Sequence, residues 1–309
     1  MLAREYVSLS AFLIAVLVVY IKEALLIFRL LCHKLWRKSG PSGFLTKPAM
    51  VVHIFAIAGI ACFLYGFFVE PYWIEVKRVN IESEKLSHAS IRVIQISDLH
   101  TEPGSTKEKK VVSLINSLDP DVIVFTGDSL AKPEALPAFK AAMKSLKAKL
   151  GKFEVKGNYD YWFLYDVDIF GDTGFLPADG KVFKLNKDGE DFFVSGLDFQ
   201  HGGNWRNTLK RVPAGPYSIF LYHKPDLIED IKGVNVDLYL AGHTHGGQVA
   251  LPFYGALITL SKYGKRYESG EHRVGNITLY VNRGIGTEDL PIRFFARPEI
   301  AVFDIKPKR

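Results

Sequence analysis

Apolar residues follow two different patterns along the chain. Through the first 70 positions they are nearly continuous. Val51 to Phe68 is interrupted by only one strongly polar residue, His53, and is long enough for a membrane span with its flanks. Tyr6 to Tyr20 is also apolar, but Lys22 and Glu23 break the pattern before Ala24 to Leu31. That block reads as a short span, an interfacial helix or a signal-like region. No small-residue cleavage site follows it, so residues 1–70 are expected to be an uncleaved anchor of one or two apolar helices. Residues 71–90 are polar and are expected to form a linker.

Beyond residue 90 the apolar residues come in short runs. Ile91 to Ile96, Asp121 to Thr126, Lys152 to Lys156, Phe192 to Leu197, Tyr217 to Tyr222 and Val236 to Ala241 have the length and composition of buried strands. Thr278 to Val281 and Ile300 to Ile305 extend the series. Between the early strands lie helix-period stretches. One is Ser105 to Leu118, with Val111, Val112, Leu114, Ile115 and Leu118 on one face; another carries Phe139, Met143, Leu146 and Leu150. Strand and helix alternate in the first half and strands dominate the second. This predicts a layered α/β domain over 91–309, with mixed sheets packed together, helices outside, and the site at the strand ends.

Composition narrows the picture. The chain has 309 residues, 48% of them apolar, enough for one sizeable domain plus extra segments. A net charge of +6 and a pI near 9.0 suit an acidic surface or a phosphate-bearing substrate. No dense run of Lys and Arg with interleaved aromatics points to nucleic acid. Both cysteines, Cys32 and Cys62, fall in the amino-terminal segment, so the domain has no disulfide framework and no thiolate metal site. Lys34, Arg37, Lys38 and Lys47 between the apolar blocks favour a cytoplasmic connection and an outward-facing domain, while Lys77, Arg78 and Lys85 oppose this. The side of the membrane stays open.

Five strand-like runs end in residues that can carry metal chemistry. They are Asp98 and His100, Asp128 after Gly127, Asn158 after Gly157, His223, and the pair His243 and His245. Any one of these alone is usually a turn or a hydrogen-bonded loop residue. Together they supply two carboxylates, one amide and four imidazoles, a mixed oxygen and nitrogen set suited to Mn²⁺, Fe²⁺ or Zn²⁺. Two such ions need a shared ligand, and an aspartate such as Asp128 can serve. Two cations about 3.5–4 Å apart can clamp a phosphoryl group and acidify a water.

The ordered series D-x-H, G-D, G-N-x-D, H, G-H-x-H resembles the calcineurin-like metallophosphoesterase superfamily over residues 91 to about 305. The resemblance implies a four-layer α/β/β/α sandwich and two divalent ions, with Mn²⁺ favoured. It assigns Asp98, His100 and His245 to one ion, Asn158, His223 and His243 to the other, and Asp128 to the bridge. The runs His223-Lys224-Pro225-Asp226, Gly246-Gly247-Gln248 and Asn282 to Gly286 are similar to a bacterial, membrane-associated branch. One position departs from the pattern: Tyr159 stands where most members carry the histidine that protonates the leaving group. A phenol is a poorer acid at neutral pH, so Tyr159 is expected either to donate a proton or only to pack. The UDP-2,3-diacylglucosamine pyrophosphatases of lipid A synthesis include members lacking that histidine, and their pyrophosphate substrate needs little protonation.

The expected activity is therefore hydrolysis of a phosphoanhydride in an acylated nucleotide sugar, at the bacterial inner membrane and beside membrane lipid, with catalytic roles for Asp128, Asn158, Tyr159 and His223. The aromatic run Tyr161 to Tyr165 would suit the acyl chains. Two other readings stand beside it: a generic phosphodiesterase or phosphatase of the envelope, and a non-catalytic scaffold on the same fold. His201, Asn204 and Arg283 are weaker candidates, the last through its planar fork on phosphate.

Overall fold

Two long helices lead the chain in a computed structural model that describes residues 2–36 and 42–308. Helix α1 (Leu2–Leu35) is unbroken, and α2 (Lys47–Phe68) starts with Pro48 in its first turn. The expected interruption at Lys22 and Glu23 does not occur. Both are good helix formers, and Glu23 finds a partner across the helix pair in His53, at 2.6 Å. The other ring nitrogen of His53 meets the Phe44 carbonyl at 2.9 Å. Both helices are long and apolar enough to cross a membrane. Leu13, Phe28, Ile57 and Phe63 are among the large apolar side chains that no protein covers. Of the charges used to judge orientation, Arg37 and Lys38 lie outside the described residues.

The remaining elements are, in chain order, β1 (Glu75–Ser83), β2 (Ile91–Ile96), α3 (Lys107–Ser117), β3 (Val122–Thr126), α4 (Leu136–Ser145), β4 (Gly151–Val155), α5 (Asn158–Phe163), β5 (Phe175–Pro177), β6 (Val182–Lys187), β7 (Glu190–Leu197), α6 (Trp205–Leu209), β8 (Tyr217–Tyr222), β9 (Leu238–Ala241), β10 (Ala250–Leu251), β11 (Gly255–Ala256), β12 (Gly270–Val274), β13 (Ile277–Val281) and β14 (Glu299–Pro307). The stretch 71–90, expected to be a linker, contains β1. That strand pairs in parallel with β14, from Glu75 opposite Glu299 to Ser83 opposite Pro307. It is an edge strand whose outward positions carry charge, which gives it a polar composition.

One sheet has the order β1-β14-β2-β3-β4-β5 and the other β12-β13-β9-β8-β7-β6. Strands β2 to β5 run parallel, as do β7, β8, β9 and β13. Side chains alternate across each strand. Val93, Val122 and Val124 point between the sheets to meet Ile219, Leu221, Leu238 and Leu240. Ile94, Ile96, Ile123 and Phe125 point the other way, onto Val111 and Ile115 of α3 and Phe139 and Met143 of α4. Phe220, Tyr239 and Leu279 on the far face of the second sheet pack on Leu209 of α6 and on Ile228 and Tyr267. The layers are thus helix, sheet, sheet and short helical segments. Gln95 is buried in β2; its amide donates to the Thr126 hydroxyl at 2.8 Å and to the Ala241 carbonyl at 2.9 Å. That second bond ties one sheet to the other directly beneath the strand ends.

Candidate active site

The parallel strands β2, β3 and β4 of one sheet and β8 and β9 of the other all end on the same side. The loops that follow them carry every residue singled out as a ligand. Asp98, His100, Asp128, Asn158, His223, His243 and His245 are all buried. Two groups form: Asp98, His100 and His245, and Asp128, His223 and His243, with the potential ligand atoms of each group within 4.8 Å of one another. Asn158 Oδ1 joins the second group, 3.0 Å from His223 Nε2. Asp128 Oδ2 faces both groups, 3.3 Å from His223 Nε2 and 3.8 Å from His100 Nε2.

The local backbone is shaped for this convergence. Asp98, His100, Asp128, His243 and His245 all adopt positive φ, between 39° and 72°, a region most L-residues avoid. Gly127 has φ +94°, and a side chain there would run into His223 Nδ1 and the Gly157 backbone. Asp160, the last residue of the G-N-x-D run, acts as a buttress. Its carboxylate accepts from the Gly157, Asp128 and Ser129 backbone N–H groups at 2.8–2.9 Å and from the Ser129 hydroxyl at 2.7 Å. Asp98 is held by the Ser97 hydroxyl and by the His243 N–H, which lies 3.1 Å from each oxygen.

The donor set fits divalent cations. His223 Nδ1 donates to the Thr126 carbonyl at 2.7 Å. Its Nε2 lone pair is thereby turned toward Asn158 Oδ1 and Asp128 Oδ2, so electron-rich atoms meet with no hydrogen between them. Only a proton or a metal cation relieves that arrangement. Burial lowers the pKa of His223, but Asp128 beside it outweighs this and lifts the imidazole to about 9, the proton taking the place a cation would fill. His243 Nε2 is buried with no hydrogen-bond partner. Burial pushes His100 down to about 4 and holds His243 and His245 well below the usual histidine range, which leaves these rings neutral and free to ligate. Burial opposes charge on Asp128 too, yet His223, His100 and His243 together keep it below the ordinary carboxylate range. Burial and the nearby Asp128 instead raise Asp98, to about 7.

Tyr159 is at the site, and its phenol is held above its ordinary pKa. Its backbone N–H donates to Asp128 Oδ1 at 2.8 Å, and its ring stands edge-on to His100 with centroids 4.6 Å apart. Burial raises the phenol pKa, and Glu288, whose carboxylate accepts its hydrogen bond, raises it further. The weaker candidates lie elsewhere. Arg283 is held by Glu75 at 2.7 Å and Glu299 at 2.6 Å, His201 pairs with Asp179 at 2.7 Å, and Asn204 lies exposed in its loop.

Two important residues were not foreseen. Glu288 has no motif around it. Arg293 is fully buried, and its guanidinium donates to the carbonyls of Gly286, Ala296 and Arg283 and lies 3.3 Å from His245 Nδ1. It fastens the loop whose Ile285 and Gly286 N–H groups bond the Asp98 carbonyl.

Comparison with known proteins agrees with this geometry. Residues 91–247 match the calcineurin-like phosphoesterase family. The uncharacterized metallophosphoesterase YkuE of Bacillus subtilis is 36% identical over 258 residues, covering 78% of this chain and 89% of its own length. The UDP-2,3-diacylglucosamine pyrophosphatase LpxG of Chlamydia muridarum is 28% identical over 308 residues, covering 79% and 93%. A Danio rerio transmembrane protein with a metallophosphoesterase domain is 27% identical over 291 residues, covering 86% of this chain and 64% of its own. The chain belongs to the calcineurin-like phosphoesterase family and is a metal-dependent phosphoester hydrolase.

Proposed function

We propose that the protein is a membrane-anchored phosphohydrolase that splits the phosphoanhydride of UDP-2,3-diacylglucosamine, giving 2,3-diacylglucosamine 1-phosphate and UMP. Asp98, His100 and His245 would hold one divalent ion and Asn158, His223 and His243 the other, with Asp128 shared; Mn²⁺ suits the mixed oxygen and nitrogen donors. When bound, the pair of cations acidifies a water and offsets charge on the phosphoryl group.

The chain's own groups do the rest. Asp128, kept ionised by its histidine neighbours, presents Oδ2 to both groups while the Tyr159 N–H pins Oδ1. Asn158 and His223 fix the second group against the Thr126 carbonyl. The Tyr159 phenol is engaged by Glu288 and orients rather than protonates. Little acid help is required when the leaving group is itself a phosphate.

The observation that carries the substrate reading is the apolar rim. Trp162, Phe163 and Tyr165 are 60–70% exposed on and after α5, with Phe163 and Trp162 stacked out from Tyr159. Phe294 meets Tyr65 of α2, and Phe295 beside it is exposed. An acylated substrate held in a bilayer would lie against such a rim, and the relative named as a pyrophosphatase of this type supports the same choice. The test is to assay detergent-purified full-length protein with Mn²⁺ and UDP-2,3-diacylglucosamine. UMP release is expected. Turnover of soluble phosphodiesters with no UMP would instead favour a general phosphodiesterase of the bacterial envelope. This reading also places the domain on the cytoplasmic side of the inner membrane, which a reporter fused to the carboxyl terminus would reveal.

A further inference from the structure

A cavity of about 720 Å³ opens directly beside the site, within the range of pockets that hold small organic ligands. Its lining includes Leu99 and His100, and also Pro71 and Tyr72, which follow within four residues of the end of α2. If α2 spans the bilayer, that part of the lining lies at the membrane surface, where the exposed Tyr72 and Trp73 belong.

Four charged side chains line the cavity: Glu102, Lys107, Glu108 and Lys110. Lys110 is committed, donating to the Tyr72 carbonyl at 3.0 Å. Lys107 makes a long contact, 3.5 Å, to the Ile285 carbonyl and lies 5.8 Å from the centroid of the Tyr72 ring, but forms no ion pair among the described residues. Glu108 is 4% exposed, and its Oε2 is buried with no hydrogen-bond partner. A buried carboxylate oxygen without a donor is costly unless a ligand supplies one. The cavity therefore offers a cation without a carboxylate partner, an unfilled acceptor and an apolar wall leading to α2.

We propose that this cavity holds the sugar-phosphate head of an amphiphile drawn from the bilayer, with Lys107 meeting the phosphate, Glu108 accepting from a sugar hydroxyl, and the acyl chains leaving over Tyr72 toward α2. The inference rests on the substrate class proposed above and specifies where that substrate sits. It also explains why the anchor ends against the site rather than at a distance from it.

The experiment is equilibrium binding of 2,3-diacylglucosamine 1-phosphate to the full-length protein in detergent, with EDTA present so that catalysis and metal play no part. Wild type is expected to bind, and Thr106→Trp, which fills the rim of the cavity, should weaken binding by at least about tenfold. Glu108→Met should weaken it comparably while leaving the thermal midpoint unchanged or raised, because an unpaired buried carboxylate has been removed. A purely structural Glu108 would show the opposite pair of results. No binding by wild type, or equal binding by wild type and Thr106→Trp, overturns the proposal. UMP release is read separately. Binding without UMP release would overturn the substrate assignment alone, whereas UMP release unaffected by Thr106→Trp would overturn the cavity alone.

Discussion

Asp98, His100, Asp128, His243 and His245 hold left-handed backbone conformations that cost about 1–3 kcal/mol each for residues other than glycine. The fold sustains that strain because the alternative is to aim the side chains away from one another. At Tyr159 the residue type itself limits chemistry, since its hydroxyl serves Glu288. Tyr159→His should therefore place a stronger acid at this position. Turnover of esters with poor alkyl leaving groups should rise by about a hundredfold, the lower end of the range for general acid catalysis, while p-nitrophenyl esters change little. Steady-state kinetics across a series of leaving groups would show it as a flattened dependence on leaving-group pKa. Arg293 makes a different kind of contribution, through the three carbonyls it gathers and its contact with His245. Arg293→Met should weaken Mn²⁺ binding by about 10–100-fold, as outer-shell losses do, and Arg293→Lys should not restore it because the planar fork is missing; calorimetric titration with Mn²⁺ measures both. The seven residues that converge at the site were legible in the sequence because each follows a strand-like run at a fixed spacing. Arg293 and Glu288 were not, because neither has a local pattern around it.

Elements that look separate along the chain are mechanically joined. The Gly66 carbonyl of α2 accepts from the Arg293 N–H at 2.9 Å, and Glu70, just past the end of α2, accepts from the Ala296 N–H at 2.7 Å. Near the start of α1, Glu5 accepts from the Thr259 N–H and hydroxyl. The amino-terminal helices thus grip the loop that braces Asp98 and His245. Added side-chain bulk at Gly66 has nowhere to go, since a Cβ there would already lie 3.0 Å from the Arg293 carbonyl. Gly66→Val should cost about 1–3 kcal/mol, typical of overpacking, and should lower metal affinity although Gly66 touches no ligand. Thermal melts and Mn²⁺ titration of the membrane-purified variant, beside Gly59→Val as a control within the same helix, would separate this from a general loss of helix packing. Sequence pattern showed that α2 exists but could not show this grip, which depends on contacts more than 220 residues apart. Strand β1 was obscured for the same reason: its partner, β14, is the last strand of the chain.

At the scale of the whole molecule, the site is the seam between two sheets. Asp98, His100, Asp128 and Asn158 come from the sheet containing β2, β3 and β4, while His223, His243 and His245 come from the sheet containing β8 and β9. Each group draws on both sheets, so cations bound there would cross-link the sandwich at its open end, adding to the bonds of Gln95 to Ala241, His223 to Thr126 and His243 to Asp98 that already join the layers. Without cations, carboxylates and imidazoles, of which only His223 is held protonated, are left facing one another in a buried space. Ions that bind only the folded state add stability by mass action, about 4 kcal/mol at a thousandfold excess over the dissociation constant. Chelation should therefore lower the unfolding midpoint of the whole domain in one cooperative step rather than loosen the strand-end loops alone. Replacing the shared carboxylate, Asp128→Asn, should abolish most of that chelator effect while leaving a folded protein. The check is calorimetry of wild type and Asp128→Asn with excess Mn²⁺ and with EDTA. A wild-type midpoint indifferent to EDTA, or an Asp128→Asn variant as responsive as wild type, would show that the two sheets hold together without ions and that the convergence of seven ligands contributes nothing to the stability of the fold.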